Sequence, residues 1–437
     1  MYLDSYKSKL LSKIFIVLTA LIPFSFVAGN LVINLNLFII IVVSFAIFGK
    51  EIFNFKFNII DKLIIILFLY ILFVGFLNTI ENFYFSQEKS TDITILKKTV
   101  LFLRYFFIYF ILRFLIDRKI LKLKYFFLFS LLASLFVSLD VIYQFIFDQD
   151  IFGYERAGRK YPGPFGDEAI AGGYLQRFSV IGIFYILIFQ RLGENKYSII
   201  FLTLMLLILF LAAIGISGNR MPLVLFIFIL FLIFIFEQKL RKFFIPMVLV
   251  LILIFISLNR FVPTFSKNID NFTGQILWIY EHWKADDKET RSIQPPYYYE
   301  FSSFYETWKM NKFFGGGIKS FRVNCIKRDN VIEKWRNFSC NMHPHNYHLE
   351  ILTDLGFIGY LLIIFLAFKI FHFSIFEFSN SFNKNKLKIL LTPLIFLFIA
   401  EIFPIRSSGS FFTTNNSAFI FVLIALIAAS LKNRNLN

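Results

Sequence analysis

"NMHPHNYHLEILTDLGFIGYLLIIFLAFKI", residues 341–370, sets three of the chain's five histidines immediately ahead of a long apolar run. A run of this length can cross about 30 Å of hydrocarbon as a helix, so the stretch reads as a membrane span entered from a polar surface. The rest of the chain repeats that pattern. Of its 437 residues 58% are hydrophobic and 20% aromatic, the mean hydropathy is +0.69, and only 17% are charged. Soluble domains carry about 25% charged residues and do not repeat apolar runs of this length. The fold class is therefore all-α, a polytopic integral membrane protein.

Length and apolarity predict about twelve spans, near 12–28, 31–48, 63–79, 97–116, 125–147, 171–190, 198–216, 220–237, 243–258, 346–372, 389–405 and 417–431. The organisation that follows is transmembrane helices over 1–258, a large loop over 259–345, and transmembrane helices over 346–437. The first span is followed at once by another and has no small-residue cleavage site, which argues against a cleaved signal peptide. The net charge of +17 suits cytoplasmic loops that collect Lys and Arg, with no nucleic acid partner.

Those basic residues also give the orientation. Lys7/Lys9/Lys13, Lys50/Lys56/Lys62, Arg118/Lys119/Lys122/Lys124, Lys239/Arg241/Lys242 and Lys384/Lys386/Lys388 all fall on alternate connections. Both termini are then expected in the cytoplasm, and parity puts 259–345 outside. The same parity sends "GRKYPGPFGDEAIAGGYL" (158–175), "SGNRMP" (217–222), the histidines and "FPIRSSGS" (403–410) to the outer face. No phosphate-binding Gly-Lys-Ser/Thr loop supports cytoplasmic nucleotide chemistry. No repeat suggests the inverted halves of a transporter or flippase.

The outward segments resemble the O-antigen ligase and polymerase superfamily. His345-Asn346, then nine residues, Gly356, two residues and Gly359 match its histidine signature. "GGGIKSFRVNC" (315–325) is similar to its Gly-x-Gly-x-x-x-Phe-Arg segment, "SGNR" to its arginine-bearing turn, and "GRKYPGPFGDE" to its Arg/Gly/Pro/Phe loop. The resemblance runs from about 150 to 372. It implies an inner-membrane glycosyltransferase that takes a glycan from an undecaprenyl-diphosphate donor at the periplasmic face, among membrane lipids. A ligase would pass it to the lipid A core, a polymerase to another glycan. It implies neither cofactor nor metal.

Physical chemistry assigns roles within that resemblance. A sugar hydroxyl is a poor nucleophile and gains from a base within hydrogen-bond reach. Histidine, with an ordinary pKa near 6.5, suits that task. His345 is the candidate base, with His343 shaping the site; the plainer reading makes His345 a helix anchor. Guanidinium groups hold phosphate oxygens in bidentate fashion, so Arg220, Arg159 and Arg322 are the diphosphate candidates. Asn346, Gly356 and Gly359 read as structural, the glycines allowing close helix contact. Arg104 and Asp140 lie at matching depths within spans, and an ion pair between them would lower the cost of burying charge. Cys325 and Cys340 are the only cysteines, and in an oxidising compartment they are expected to form a disulfide leading into the histidine segment. A zinc set of those cysteines with His343 and His345 lacks the usual ligand spacing.

Overall fold

The computed structural model describes residues 5–84, 93–158, 160–189, 196–236, 249, 252–253, 256–257, 259–261, 263–284, 296–328, 340, 346–380, 385–404, 406 and 409–432. Helices dominate them, and outside helices only two isolated bridges occur, Gln149 with Glu155 and Ala157 with Lys160. The first helices are α1 (Ser5–Ala20), α2 (Ile22–Val27), α3 (Asn30–Phe48), α4 (Ile59–Tyr84), α5 (Thr94–Asp117) and α6 (Leu123–Phe147). Then come α7 (Ala171–Phe189), α8 (Lys196–Ile216), α9 (Arg220–Phe236), α10 (Pro263–Lys284), α11 (Pro296–Met310) and the single turn α12 (Phe321–Asn324). The chain finishes with α13 (Tyr347–Asn380), α14 (Asn385–Glu401) and α15 (Thr414–Lys432).

Among the described residues, eight helical stretches are long and apolar enough to cross a membrane. Three shorter apolar helices, Phe201–Ile216, Arg220–Phe236 and Leu390–Glu401, coincide with expected spans. The span expected at 243–258 falls largely outside the described residues. Within 259–345, where a loop is expected, the described residues form α10, α11 and α12.

The chain folds as two compact units, residues 1–130 with 303–437, and residues 131–302. In the first unit α15 packs on α5, α5 on α4, and α4 on α13. Ala418, Ala425, Ala428 and Ala429 of α15 are each at most 1% exposed, so small side chains let this helix approach its neighbours on several sides. Around it the phenylalanines interlock. Phe421 lies 5.1 Å from Phe68, 5.9 Å from Phe102 and 6.0 Å from Tyr105, centroid to centroid. In the second unit α7 packs against α8 and α9. Gly182 of α7 lies so close to α6 that a β-carbon there would stand 2.7 Å from the Leu131 Cα.

One buried charge network was not anticipated from sequence. Arg113 of α5 is fully buried, 3.4 Å from Asp61 of α4 and 3.7 Å from Asp117. The Tyr109 hydroxyl donates to Asp61 at 2.7 Å, and the Arg113 guanidinium covers the Phe55 ring at 5.3 Å. Truncating one partner strands the other's charge, which typically costs about 3–5 kcal/mol. Arg113→Ala is therefore expected to unfold at markedly lower temperature in detergent. The double variant Arg113→Met/Asp61→Leu should recover much of the loss. Equal melting of Arg113→Ala and wild type would show that the pair is not needed.

Candidate functional site

The histidine stretch leads into α13, whose first two turns are held from two directions. Asn346 caps the helix, its Oδ1 accepting from the backbone N–H of His348 at 2.9 Å and of Leu349 at 3.2 Å. Its amide donates to the Pro404 carbonyl at 2.9 Å. His348 Nε2 lies 3.1 Å from the Ile402 carbonyl and Nδ1 3.3 Å from the Tyr360 hydroxyl. A carbonyl only accepts, so in the neutral ring Nε2 bears the proton and Nδ1 receives the Tyr360 hydroxyl. This histidine is a structural tie.

Glu350 continues the attachment. It is 4% exposed, and its carboxylate accepts from the Ser410 hydroxyl and from the Phe411 N–H at 2.5 Å. Tyr347 meets the Phe411 ring edge-on at 5.6 Å and lies beneath the Arg406 guanidinium at 5.0 Å. Arg406 is buried and paired with Glu401 at 2.9 Å. The segment around 401–411 thus wraps the start of α13, with its Arg406 and Glu401 paired.

From the other direction comes the glycine-rich segment. Asp354, fully buried, accepts from the Lys319 N–H at 2.7 Å and the Ser320 hydroxyl at 3.3 Å. Gly316 N–H donates to the Thr353 carbonyl at 3.0 Å and Gly317 N–H to the Asp354 carbonyl at 2.8 Å. These contacts continue where α13 is interrupted. Gly356 has φ 65° and ψ −173°, a conformation open to glycine alone. Phe357 N–H turns to the Lys312 carbonyl at 2.8 Å, and Tyr70 of α4 donates to the freed Leu355 carbonyl at 2.8 Å. A broken helix is tolerated at such depth only when its backbone groups are satisfied in this way.

Sequence spacing assigns Gly356 and Gly359 the same helix-packing role, and the structure separates them. A β-carbon on Gly359 would meet the Tyr70 ring at 2.8 Å, so this glycine does pack on α4. Gly356 instead makes room for the chain at 313–315. A β-carbon on it would overlap the Phe313 carbonyl, and one on Gly315 would stand 2.6 Å from the Asp354 carbonyl. The two glycine-bearing motifs are one crossing.

The structure joins Cys325 to Cys340 with Cα atoms 5.5 Å apart. The bridge is buried with Phe304 and Phe321, whose rings stack 3.5 Å apart, and Leu349 of α13 packs on the cluster. The disulfide removes both thiols from the zinc set considered above. Arg322 lies on α12 with its side chain exposed. His343 and His345 lie outside the described residues, as does Arg159.

The second unit shows a matching arrangement around Arg220. Asn219, just before it, accepts from the Gly172 N–H at 3.2 Å and donates to the Ala169 carbonyl at 2.9 Å. Tyr161 N–H reaches the Ser217 carbonyl at 3.4 Å. The arginine-bearing turn and the 161–172 segment therefore share one assembly, from which Arg220 opens α9 with an exposed side chain. Gln144 of α6 accepts from Gly163 N–H at 2.8 Å and so holds the same segment, while Asp140 accepts from Ile151 N–H at 2.9 Å just past the end of α6. Arg104, in the first unit, donates to the Tyr105 hydroxyl at 2.7 Å and the Leu101 carbonyl at 2.8 Å.

Glu350 and Asp354 escaped the sequence reading as site builders. One signal was present: two carboxylates at i and i+4 in the first turns of an otherwise apolar helix, where each needs hydrogen-bond partners. Compared with known proteins, residues 204–364 match the model of a family described as O-antigen ligase. The matched segment includes Arg220, Arg322, His345 and both glycines of the crossing. No curated protein matches the chain.

Proposed function

We propose that this multi-pass membrane protein is a glycosyltransferase of the inner membrane, a reading supported by the match of residues 204–364 to the O-antigen ligase family. It moves a glycan from undecaprenyl diphosphate to an acceptor sugar at the periplasmic face, and the acceptor we favour is the lipid A core. The observation that carries this reading is the family match, which runs from the arginine-bearing turn through the histidine helix.

In the proposed reaction His345 takes the proton of the acceptor hydroxyl as its oxygen bonds to the anomeric carbon. The bond from that carbon to the diphosphate oxygen breaks, and the lipid diphosphate leaves with the electron pair. Guanidinium groups of Arg220, Arg159 and Arg322 are assigned to the diphosphate, where they stabilise the developing charge without a proton transfer. His343 shapes the base's surroundings. The anchoring of α13 through Asn346, Glu350 and Asp354 supports this assignment, because a base must be held in place to act.

Arg220 offers a specific check. Lysine keeps the charge and loses the fork that grips two oxygens. Arg220→Lys is therefore expected to transfer glycan no better than Arg220→Ala, measured with a lipid-linked donor and purified acceptor. Full activity of the lysine variant would reduce Arg220 to a membrane-surface anchor. The function itself is tested by deleting the gene in its native host and resolving the lipopolysaccharide on gels. Loss of all capped glycan supports a ligase. Survival of a single capped repeat unit identifies a polymerase instead, and an unchanged pattern overturns both.

A further inference from the structure

We propose that Lys98, Lys319 and Arg322 form a binding cluster for a lipid-borne phosphate, at the end of the first unit where α5 and α13 begin. That the phosphate belongs to the glycan donor rests on the function proposed above.

The crossing creates the cluster. Gly317 packs directly on α5, since a β-carbon there would stand 2.5 Å from Ile95 Cγ2. Lys98 follows Ile95 by three residues and so occupies the same face of α5 one turn further on. Two residues beyond Gly317, Lys319 is pinned by its N–H to Asp354 at 2.7 Å. Val323 N–H closes a turn onto the Ser320 carbonyl at 2.9 Å, and Arg322 lies within that turn on α12. Lys98 of α5 and Lys319 and Arg322 of the glycine-rich segment thus lie within a few residues of the point where that segment packs on α5.

Lys319 is held in the left-handed region, with φ 56°. A turn alone would favour glycine or asparagine at that position, and neither carries charge. Among the described residues no side-chain hydrogen bond or ion pair satisfies Lys98, Lys319 or Arg322. Lys319 and Arg322 are exposed and Lys98 is half-buried. The nearest carboxylates are already engaged, Glu350 by Ser410 and Phe411, and Asp354 by Lys319 N–H and Ser320. Partial burial of the Lys319 side chain lowers its pKa. The Lys98 and Arg322 charges push the same way, against Glu350 and Asp354.

The surroundings favour a phosphate carried on a lipid. Ile93, Val100 and Leu101 of the α5 region are 62%, 49% and 54% exposed, and Phe313 ahead of the crossing is 63% exposed. A charged head at the cluster can therefore lie beside an apolar tail along these side chains.

The test is direct binding to the purified full-length protein in phosphatidylcholine nanodiscs. The probe is radiolabelled polyprenyl diphosphate, with no acceptor present, so the readout does not depend on transfer. Lys98→Gln, Lys319→Asn and Arg322→Gln are each expected to weaken binding by roughly tenfold, the worth of one charge-assisted contact. Asparagine retains the left-handed turn, so the loss reports charge and not loop collapse. Wild-type affinity in the triple variant, at unchanged melting temperature, would overturn the proposal. Competition separates the sources of phosphate. Displacement of the probe only by polyprenyl diphosphates marks the site as the donor's, whereas equal displacement by phosphatidylglycerol marks it as a headgroup site. Charge-dependent probe binding with normal lipopolysaccharide in the deletion strain would keep the cluster and discard the glycosyltransferase reading.

Discussion

Replacing His345 with alanine is expected to lower glycan transfer by about a hundredfold or more, the usual contribution of a positioned base. Expression and membrane insertion should not change, because the described ties from Asn346 onward hold α13. Asn346 caps the helix, and Glu350 and Asp354 fasten its first turns to residues 410–411 and 319–320. None of these contacts uses the residue 345 side chain. His343→Ala should cost less, since that residue is assigned to shaping the site. The assay uses purified variants with a lipid-linked donor and acceptor under single-turnover conditions, which separates chemistry from binding. Near-normal transfer by His345→Ala would leave the histidine as a helix anchor and remove the base from the mechanism.

The parts of this molecule that were legible in the sequence are those set by local composition. Spans show in sequence because each is a contiguous apolar run, although α1 starts seven residues before its expected limit and α13 runs eight residues past its own. The polar connecting segments were legible too, since each carries glycine, proline or arginine at short fixed spacing. What joins them was not. Asp354 reaches Lys319 and Ser320 across more than thirty positions, and no periodicity encodes such a pairing. Gly356 and Gly359 sit one turn apart, a spacing identical for helix packing and for a helix break; only the chain at 313–315 distinguishes them. Arg113 and Asp61 hid for a related reason. Both lie at span ends beside exposed lysines, where a charge ordinarily reads as a solvated terminus.

The glycine crossing carries the second large expectation. Gly356 adopts φ 65° and ψ −173°, where any side chain adds strain of order 1–3 kcal/mol, before steric overlap is counted. The overlap is with backbone, the Phe313 carbonyl, which cannot rotate away as a side chain would. Gly356→Ala must therefore push residues 313–315 off α13. That movement breaks the Phe357-to-Lys312 and Gly317-to-Asp354 bonds and loosens the segment bearing Lys319 and Arg322. The expected result is a lower melting temperature together with loss of transfer. Gly315→Ala attacks the same crossing from the other strand, since its β-carbon would lie 2.6 Å from the Asp354 carbonyl. The two changes should be less damaging together than the sum of each alone, because the first opens the space that the second needs. Gly359→Ala is the contrast: its backbone is helical and its β-carbon would meet side-chain atoms only, the Leu355 Cβ and the Tyr70 ring, so its loss should be smaller. Melting curves of the three single variants and the Gly315/Gly356 double variant decide the matter. Strict additivity of the two crossing variants, or a harmless Gly356→Ala, would mean that the two motifs do not act as one structure.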